Sequence, residues 1–283
     1  MSSTPRRILR VIEPEAVVEG AGVRLKRSIG TRTLDYLDPF LLLDHFQSKK
    51  AADYEAGFPL HPHRGIETVT YLLAGAVRHR DSVGNAGEIG PGDLQWMSAG
   101  RGIMHEEMPQ VRPEGVAGFQ LWVNLPKKQK MSAPRYQNIH ASEIPEIKRE
   151  NGGTVRVIAG TVDGVTGPIS GIAAEPTYLD VALAPGGAFV QPIPRGHSAF
   201  AYVFEGDARF GAEDSTVVAA PKLVVWEDGD SIEVRADKSP ARFLLVSGAP
   251  LNEPIARYGP FVMNTQEEIQ QTLRELQQGT FAR

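Results

Sequence analysis

With 283 residues, the chain exceeds one typical domain, so two domains or one duplicated domain are expected; 41% apolar and 23% charged residues suffice for a sizeable core. A net charge of −4, with basic residues concentrated only in the short stretches Arg6 to Arg10 and Lys127 to Lys130, argues against direct nucleic-acid binding, and both stretches read as solvated faces. The lack of cysteine excludes disulfides, thiolate zinc sites and cysteine nucleophiles, and no apolar run approaches the ~20 residues that span a bilayer; the expectation is a cytoplasmic protein without a membrane partner.

In chain order, short β-branched and aromatic runs (Thr68 to Leu73, Gly118 to Val123, Thr154 to Ile158, Leu223 to Trp226, Arg242 to Val246) alternate with the turn dipeptides Pro91-Gly92, Gly152-Gly153, Gly186-Gly187 and Asp228-Gly229. This rhythm predicts an all-β protein of antiparallel sandwiches or barrels. Glu143 to Arg149, interrupted by Pro145 and followed by Asn151-Gly152-Gly153, reads as a connection, which places a domain boundary near residue 145, with domains at 1–145 and 146–283. The one helix expected follows Thr265, which with Glu268 forms a capping box; Ile269, Leu273 and Leu276 recur at helical spacing before Gly279.

The halves share a pattern. Arg64-Gly65, Tyr71 and Gly75 align at fixed spacing with Arg195-Gly196, Tyr202 and Gly206. In that register His61 and His63 fall opposite Pro192 and Pro194, which cannot ligate a metal, so the second half reads as a copy that kept the strand and lost the chemistry.

The candidate metal site is built from two short pairs. In an extended segment, side chains at i and i+2 project to one side, so His61-Pro62-His63 presents two imidazoles together, and Pro62 favours the extended backbone. His105-Glu106-Glu107 repeats the pattern with His105 and Glu107 on one face and Glu106 on the other. The hairpin region Leu72 to Gly92 between them allows both pairs to lie on neighbouring strands. Counted from His61 and His63, Glu67 has the same parity and could ligate in place of Glu107 or support a ligating histidine from behind. His45, His79, His140 and His197 have no partner at ligand spacing and read as packed or surface histidines.

Three histidines and a carboxylate would close the shell of a zinc ion, whereas iron(II), manganese(II) or copper(II) accepts five or six ligands and keeps positions for an organic ligand and dioxygen. Iron(II) is the first choice, with Mn, Cu, Ni or Zn acceptable substitutes; Glu107 is the candidate general base for an incoming hydroxyl.

Phe58-Pro59-Leu60-His61-Pro62-His63-Arg64-Gly65-Ile66-Glu67-Thr68-Val69, Pro91-Gly92-Asp93-Leu94-Gln95-Trp96-Met97, Ala99-Gly100-Arg101-Gly102-Ile103-Met104-His105 and Glu107-Met108-Pro109 resemble the signature of the pirins, members of the cupin superfamily; Leu37-Asp38-Pro39-Phe40 and Gly259-Pro260-Phe261-Val262-Met263-Asn264 extend the resemblance over nearly the whole chain. Ser98, where cupins usually carry proline, and two extra residues before His105 depart from the general cupin pattern and match the pirin variant. The resemblance implies two cupin-type (double-stranded β-helix, jelly-roll) barrels arranged as a bicupin with a C-terminal helix, one iron in the first barrel at His61, His63, His105 and Glu107, and a supporting role for Glu67. It further implies either dioxygen-dependent cleavage of a flavonol such as quercetin with release of carbon monoxide, or an iron-dependent, redox-responsive regulator that binds a protein partner without turnover.

Overall fold

The computed structural model describes residues 4–149, 152–212 and 215–282; Asn151, assigned above to the link between domains, lies outside them. The chain divides into two compact units, Glu15–Ala141 with Leu251–Arg283, and Met1–Pro14 with Ser142–Pro250. A single cut near residue 145 therefore does not separate them: each unit takes one terminal segment from the far end of the chain. The reason is strand pairing and packing. Ile8–Ile12 pairs antiparallel with Lys222–Trp226, and the helix Gln266–Gln277 contributes Ile269, Leu273 and Leu276 to a cluster with Met104, Ala256, Phe261, Met263 and Phe281. Nor is Glu143 to Arg149 a bare connection, because Glu146–Lys148 forms a strand on Gly153–Ala159.

The unit that carries the His61 segment is built from two antiparallel sheets. Seven strands follow the order Arg135–Ile139, Leu94–Ser98, Ile66–Ala74, Val116–Asn124, Phe40–Ser48, Val23–Ile29, Glu15–Glu19. Four follow the order Phe58–His63, Ile103–Gln110, Ala76–Asp81, Ala86–Ile89. Val23, Leu25, Leu72 and Val116 of the larger sheet form one buried cluster with Val77 and Ile89 of the smaller, so the apolar faces meet in an interior; each such side chain contributes roughly 1.5–3 kcal/mol on burial. Pro59 and Pro62 lie in an edge strand, where the missing amide protons leave no ladder position unpaired.

The second unit repeats the plan with a ten-stranded sheet. Its interior is filled: Phe210 lies 5.5 Å from Phe243 and 6.0 Å from Trp226 between ring centroids, and Phe189 lies 6.1 Å from Phe243. The internal repeat is visible in the backbone, since Ser198–Phe210 answers Ile66–Ala74 and the aligned Gly75 and Gly206 both have positive φ, 82° and 67°.

Two basic side chains read above as solvated are buried. Lys130 is 1% exposed and donates to Gly65 O (2.9 Å), Asn124 Oδ1 (2.7 Å) and Val262 O (2.9 Å); burial lowers its pKa to about 8. Arg6, 2% exposed, donates to the carbonyls of Gly229, His197, Pro194 and Glu227 and to Asp228. A buried cation is tolerated when its donors are spent in this way.

A β-carbon on Gly206 would lie 1.9 Å from Pro240 O, whereas one on Gly186, also at positive φ (79°), meets nothing within 4 Å. Gly186→Ala is expected to cost only the left-handed backbone penalty, about 1–2 kcal/mol. Gly206→Ala adds a backbone clash and should cost roughly 3 kcal/mol or more. Urea unfolding of the two variants checks the difference.

Candidate metal centre and its pocket

The strand Phe58–His63 runs antiparallel to Ile103–Gln110, with Ile103 opposite His63 and His105 opposite His61. That register brings the imidazoles of His61, His63 and His105 together, with ring centroids 4.9 Å, 4.4 Å and 5.0 Å apart, and one nitrogen of each ring within 4.8 Å of the others. His61 Nδ1 lies 3.0 Å from Pro59 O, an acceptor only, so in the neutral ring Nδ1 carries the proton and Nε2 is left bare. His61 Nε2 and His63 Nε2 stand 3.1 Å apart; nitrogens ~2.1 Å from a shared ion are about 3.0 Å apart at right angles and about 3.4 Å apart in a tetrahedron. Both ring nitrogens of His105 are buried with no protein hydrogen-bond partner. Burial, with the neighbouring imidazoles, holds His63 well below the usual histidine range and His105 at about 3, so both rings are neutral and offer lone pairs. The donor set fits a divalent cation.

Glu107 is brought to the same pocket but not into the cluster. The register between its strand and Phe58–His63 shifts between His105 and Glu107, so Glu107 pairs with Phe58, and its Oε1 lies 3.0 Å from Thr70 Oγ1. Thr70 Oγ1 also lies 2.7 Å from Gln120 Oε1. One hydroxyl proton cannot serve both oxygens; with the Gln120 amide turned over, Gln120 donates to Thr70 and Thr70 donates to Glu107. Glu106 points outward, as its alternation requires, and pairs with Arg80 at 2.6 Å.

Glu67 does not face the histidines as the parity count implied. Its strand begins anew at Ile66, after a turn in which Gly65 has φ 77°, and alternation cannot be counted through such a turn. Glu67 is buried and accepts a hydrogen bond from Ser98 Oγ, and burial raises its carboxyl pKa.

Of the remaining histidines, His79 is buried opposite Glu107 and 2.9 Å from Gln95 Nε2. His45 stacks on Phe119, and His140 is exposed near Asp93. His197 receives Arg6 at its backbone carbonyl. Among the described residues none of the four joins a metal-binding cluster.

The pocket, about 660 Å³, is lined by alternate residues of successive strands: Val23, Leu25 and Arg27; Leu42, Asp44 and Phe46; Gln120 and Trp122; His61 and His63. Cross-strand register sets a row of polar residues across the sheet, Arg27 beside Asp44, Asp44 beside Gln120, Gln120 beside Thr70, Thr70 beside Gln95, and Gln95 beside Asn138; the first four line the pocket. Thr70 and Gln120 are pocket residues beside Glu107 that the sequence reading missed. The available signal was a polar residue at the inward parity of an otherwise apolar strand.

The family model Pirin matches residues 22–123, and the Pirin C-terminal cupin domain matches residues 178–282. The chain belongs to the pirin family. A pirin-like protein of Caulobacter vibrioides is 46% identical over 98% of this chain and 99% of its own length, and human pirin is 45% identical over 96% and 92%. Among solved pirin-fold structures, a quercetin 2,3-dioxygenase from Acinetobacter baumannii is 34% identical, with a TM-score of 0.88 over 98% of this chain and 99% of that one. The two barrels of this pirin are thus cupins in a bicupin, as the motifs implied. No helix among the described residues is long and apolar enough to cross a membrane.

Burial makes the pirin barrel acid-sensitive away from the metal centre. His45 is pushed down to about 4 by burial, whereas an unfolded histidine titrates near ~6.5. As the pH falls below that value the unfolded chain takes a proton and the folded one does not, so stability is lost between about pH 6.5 and 4, by up to about 3 kcal/mol from this residue. His45→Phe, which preserves the stack on Phe119, should lose less of its urea midpoint than wild type between pH 7 and 4.5.

Proposed function

We propose that this pirin is an iron(II)-dependent dioxygenase of the quercetinase type, with His61, His63, His105 and Glu107 as metal ligands, Glu107 doubling as the base. The observation that carries the reading is the pocket of about 660 Å³ lined by His61, His63 and Glu107, with His105 clustered against the two lining histidines. That volume falls within the ~300–1,000 Å³ range of small-molecule sites. The similarity to the A. baumannii quercetin 2,3-dioxygenase supports the substrate class. A bound iron would supply Lewis acidity and electron exchange with dioxygen.

The residues account for the remainder. His61 is oriented by Pro59 O, so its Nε2 faces the cluster. Glu107, held by Thr70, is poised to accept the proton of a flavonol 3-hydroxyl. The apolar walls, among them Val23, Leu25, Phe46 and Val77, exclude water and accept the planar rings. Both atoms of dioxygen enter the product and one carbon leaves as carbon monoxide. Glu67, bonded to Ser98, supports the strand rather than the reaction.

Protein loaded anaerobically with iron(II) and exposed to quercetin and air should bleach the flavonol band and release carbon monoxide. His61→Ala and Glu107→Gln should abolish this, and Thr70→Val should lower turnover about 10- to 100-fold, the usual cost of removing a partner that orients a ligand. If iron-replete protein leaves a range of flavonols untouched, the enzyme reading fails and a redox-responsive, partner-binding protein takes its place.

A further inference from the structure

The pocket holds two arginines in different circumstances. Arg27 is fully used: Nε and Nη2 each donate to Asp44 at 2.7 Å, and Nη1 donates to Glu19 at 2.7 Å. Arg257 also lines the pocket, half-buried, with its guanidinium carbon 5.2 Å from the centre of the Trp122 ring. Its hydrogen bonds are long and go only to backbone carbonyls, Nη1 to Leu41 at 3.3 Å and Nε to Gly259 at 3.5 Å. Among the described residues no carboxylate pairs with it. The nearby carboxylates are committed or solvated, since Asp44 is held bidentately by Arg27, the Glu19 side chain is 42% exposed and Asp35 is exposed.

A guanidinium offers five N–H donors in a planar fork suited to carboxylate and phenolate oxygens. In a pocket it is normally answered by an anion or by several carbonyls, as Arg6 is in the other unit. Arg257 has neither. Its burial and the proximity of Arg27 lower its pKa, and the charges of Asp35, Asp44 and Glu19 offset this only in part. Trp122 neighbours both groups, lying perpendicular to His63 at 5.2 Å between ring centroids and under the Arg257 guanidinium. Arg257, Trp122, His61 and His63 all line the same pocket, so a ligand beside the histidines shares it with Arg257.

We propose that Arg257 is the specificity-determining residue of this pocket and takes an ionised oxygen, carboxylate or phenolate, carried by an aromatic ligand in addition to the group held at the histidine cluster. The proposal rests on the reading of the pocket as a site for an aromatic ligand. A neutral, purely apolar ligand would leave the guanidinium donors unmet, so the preference is for a ligand with two polar groups.

The test is binding rather than turnover. Iron(II)-loaded protein, kept free of oxygen, is titrated with 3-hydroxyflavone and with its 4′-carboxylate and 7-carboxylate derivatives, following the flavonol band. Wild type should bind at least one carboxylate about tenfold more tightly than the parent, the scale of a charge-assisted hydrogen bond. Arg257→Gln should reduce that ratio to below about two at unchanged metal content, and Arg257→Lys should restore part of it. The proposal is overturned if neither carboxylate is preferred, if the preference survives Arg257→Gln, or if all three affinities fall together with the metal content. Protein that shows the preference but never bleaches a flavonol would sink the dioxygenase reading and leave this one standing; bleaching without the preference would do the reverse.

Discussion

The site depends on one strand register. His105 lies opposite His61, and Ile103 opposite His63, in the antiparallel pair Phe58–His63 and Ile103–Gln110. A slip of one residue would turn every side chain of a strand to the other face, placing Met104 and Glu106 inside and His105 and Glu107 in solvent. The sequence around the strands is arranged against such a slip. Arg64, next to His63, is buried and donates to Arg101 O in the loop that leads into Ile103–Gln110, to Thr272 Oγ1 and Phe281 O of the C-terminal segment, and pairs with Glu275 at 2.7 Å. Lys130 holds the following Gly65 by its carbonyl. The end of the first histidine strand and the start of the second are thus tied to one another and to the helix, which explains why the last thirty-odd residues fold with the first barrel.

The second unit shows what the same strand plan becomes without that demand. Its aligned glycines keep the positive φ of the first copy, because the following strands still need the same turns. Its interior, in contrast, carries Phe189, Phe243, Phe210 and Trp226 in a chain of ring contacts, an arrangement that gains aromatic packing. Backbone geometry and site chemistry are therefore separable in this fold: the first is set by turns and alternation, the second by what the inward positions carry.

Much of the architecture was legible in the sequence because the relevant signals are local. The runs Thr68 to Leu73 and Arg242 to Val246 became strands, and the capping box of Thr265 and Glu268 formed as its spacing implies. The histidine pairs were found because i and i+2 share a face within one strand. Glu67 was misplaced for the complementary reason: the count was carried through the turn at Gly65, where alternation has no meaning. Thr70, Gln120 and Gln95 each show only as a polar residue in an apolar strand; that they form one row could not be read, because it arises from pairing between strands remote in sequence. Lys130 and Arg6 sit in basic stretches whose neighbours are exposed; only the carbonyls assembled by tertiary structure make their burial favourable.

The same accounting of donors and acceptors joins the metal centre to Arg257. Three bare imidazole nitrogens turned toward one point do nothing for the fold alone, since each buried nitrogen without a partner costs on the order of 1–3 kcal/mol. A cation that accepts all three converts that cost into binding energy, and because it binds the folded chain only, affinity and stability are linked. Arg257 poses the converse problem with donors instead of acceptors. His61, His63 and Arg257 line one pocket. A ligand that answers both at once must carry two polar groups, so the recognition logic of this barrel follows from which of its buried groups the protein itself leaves unanswered.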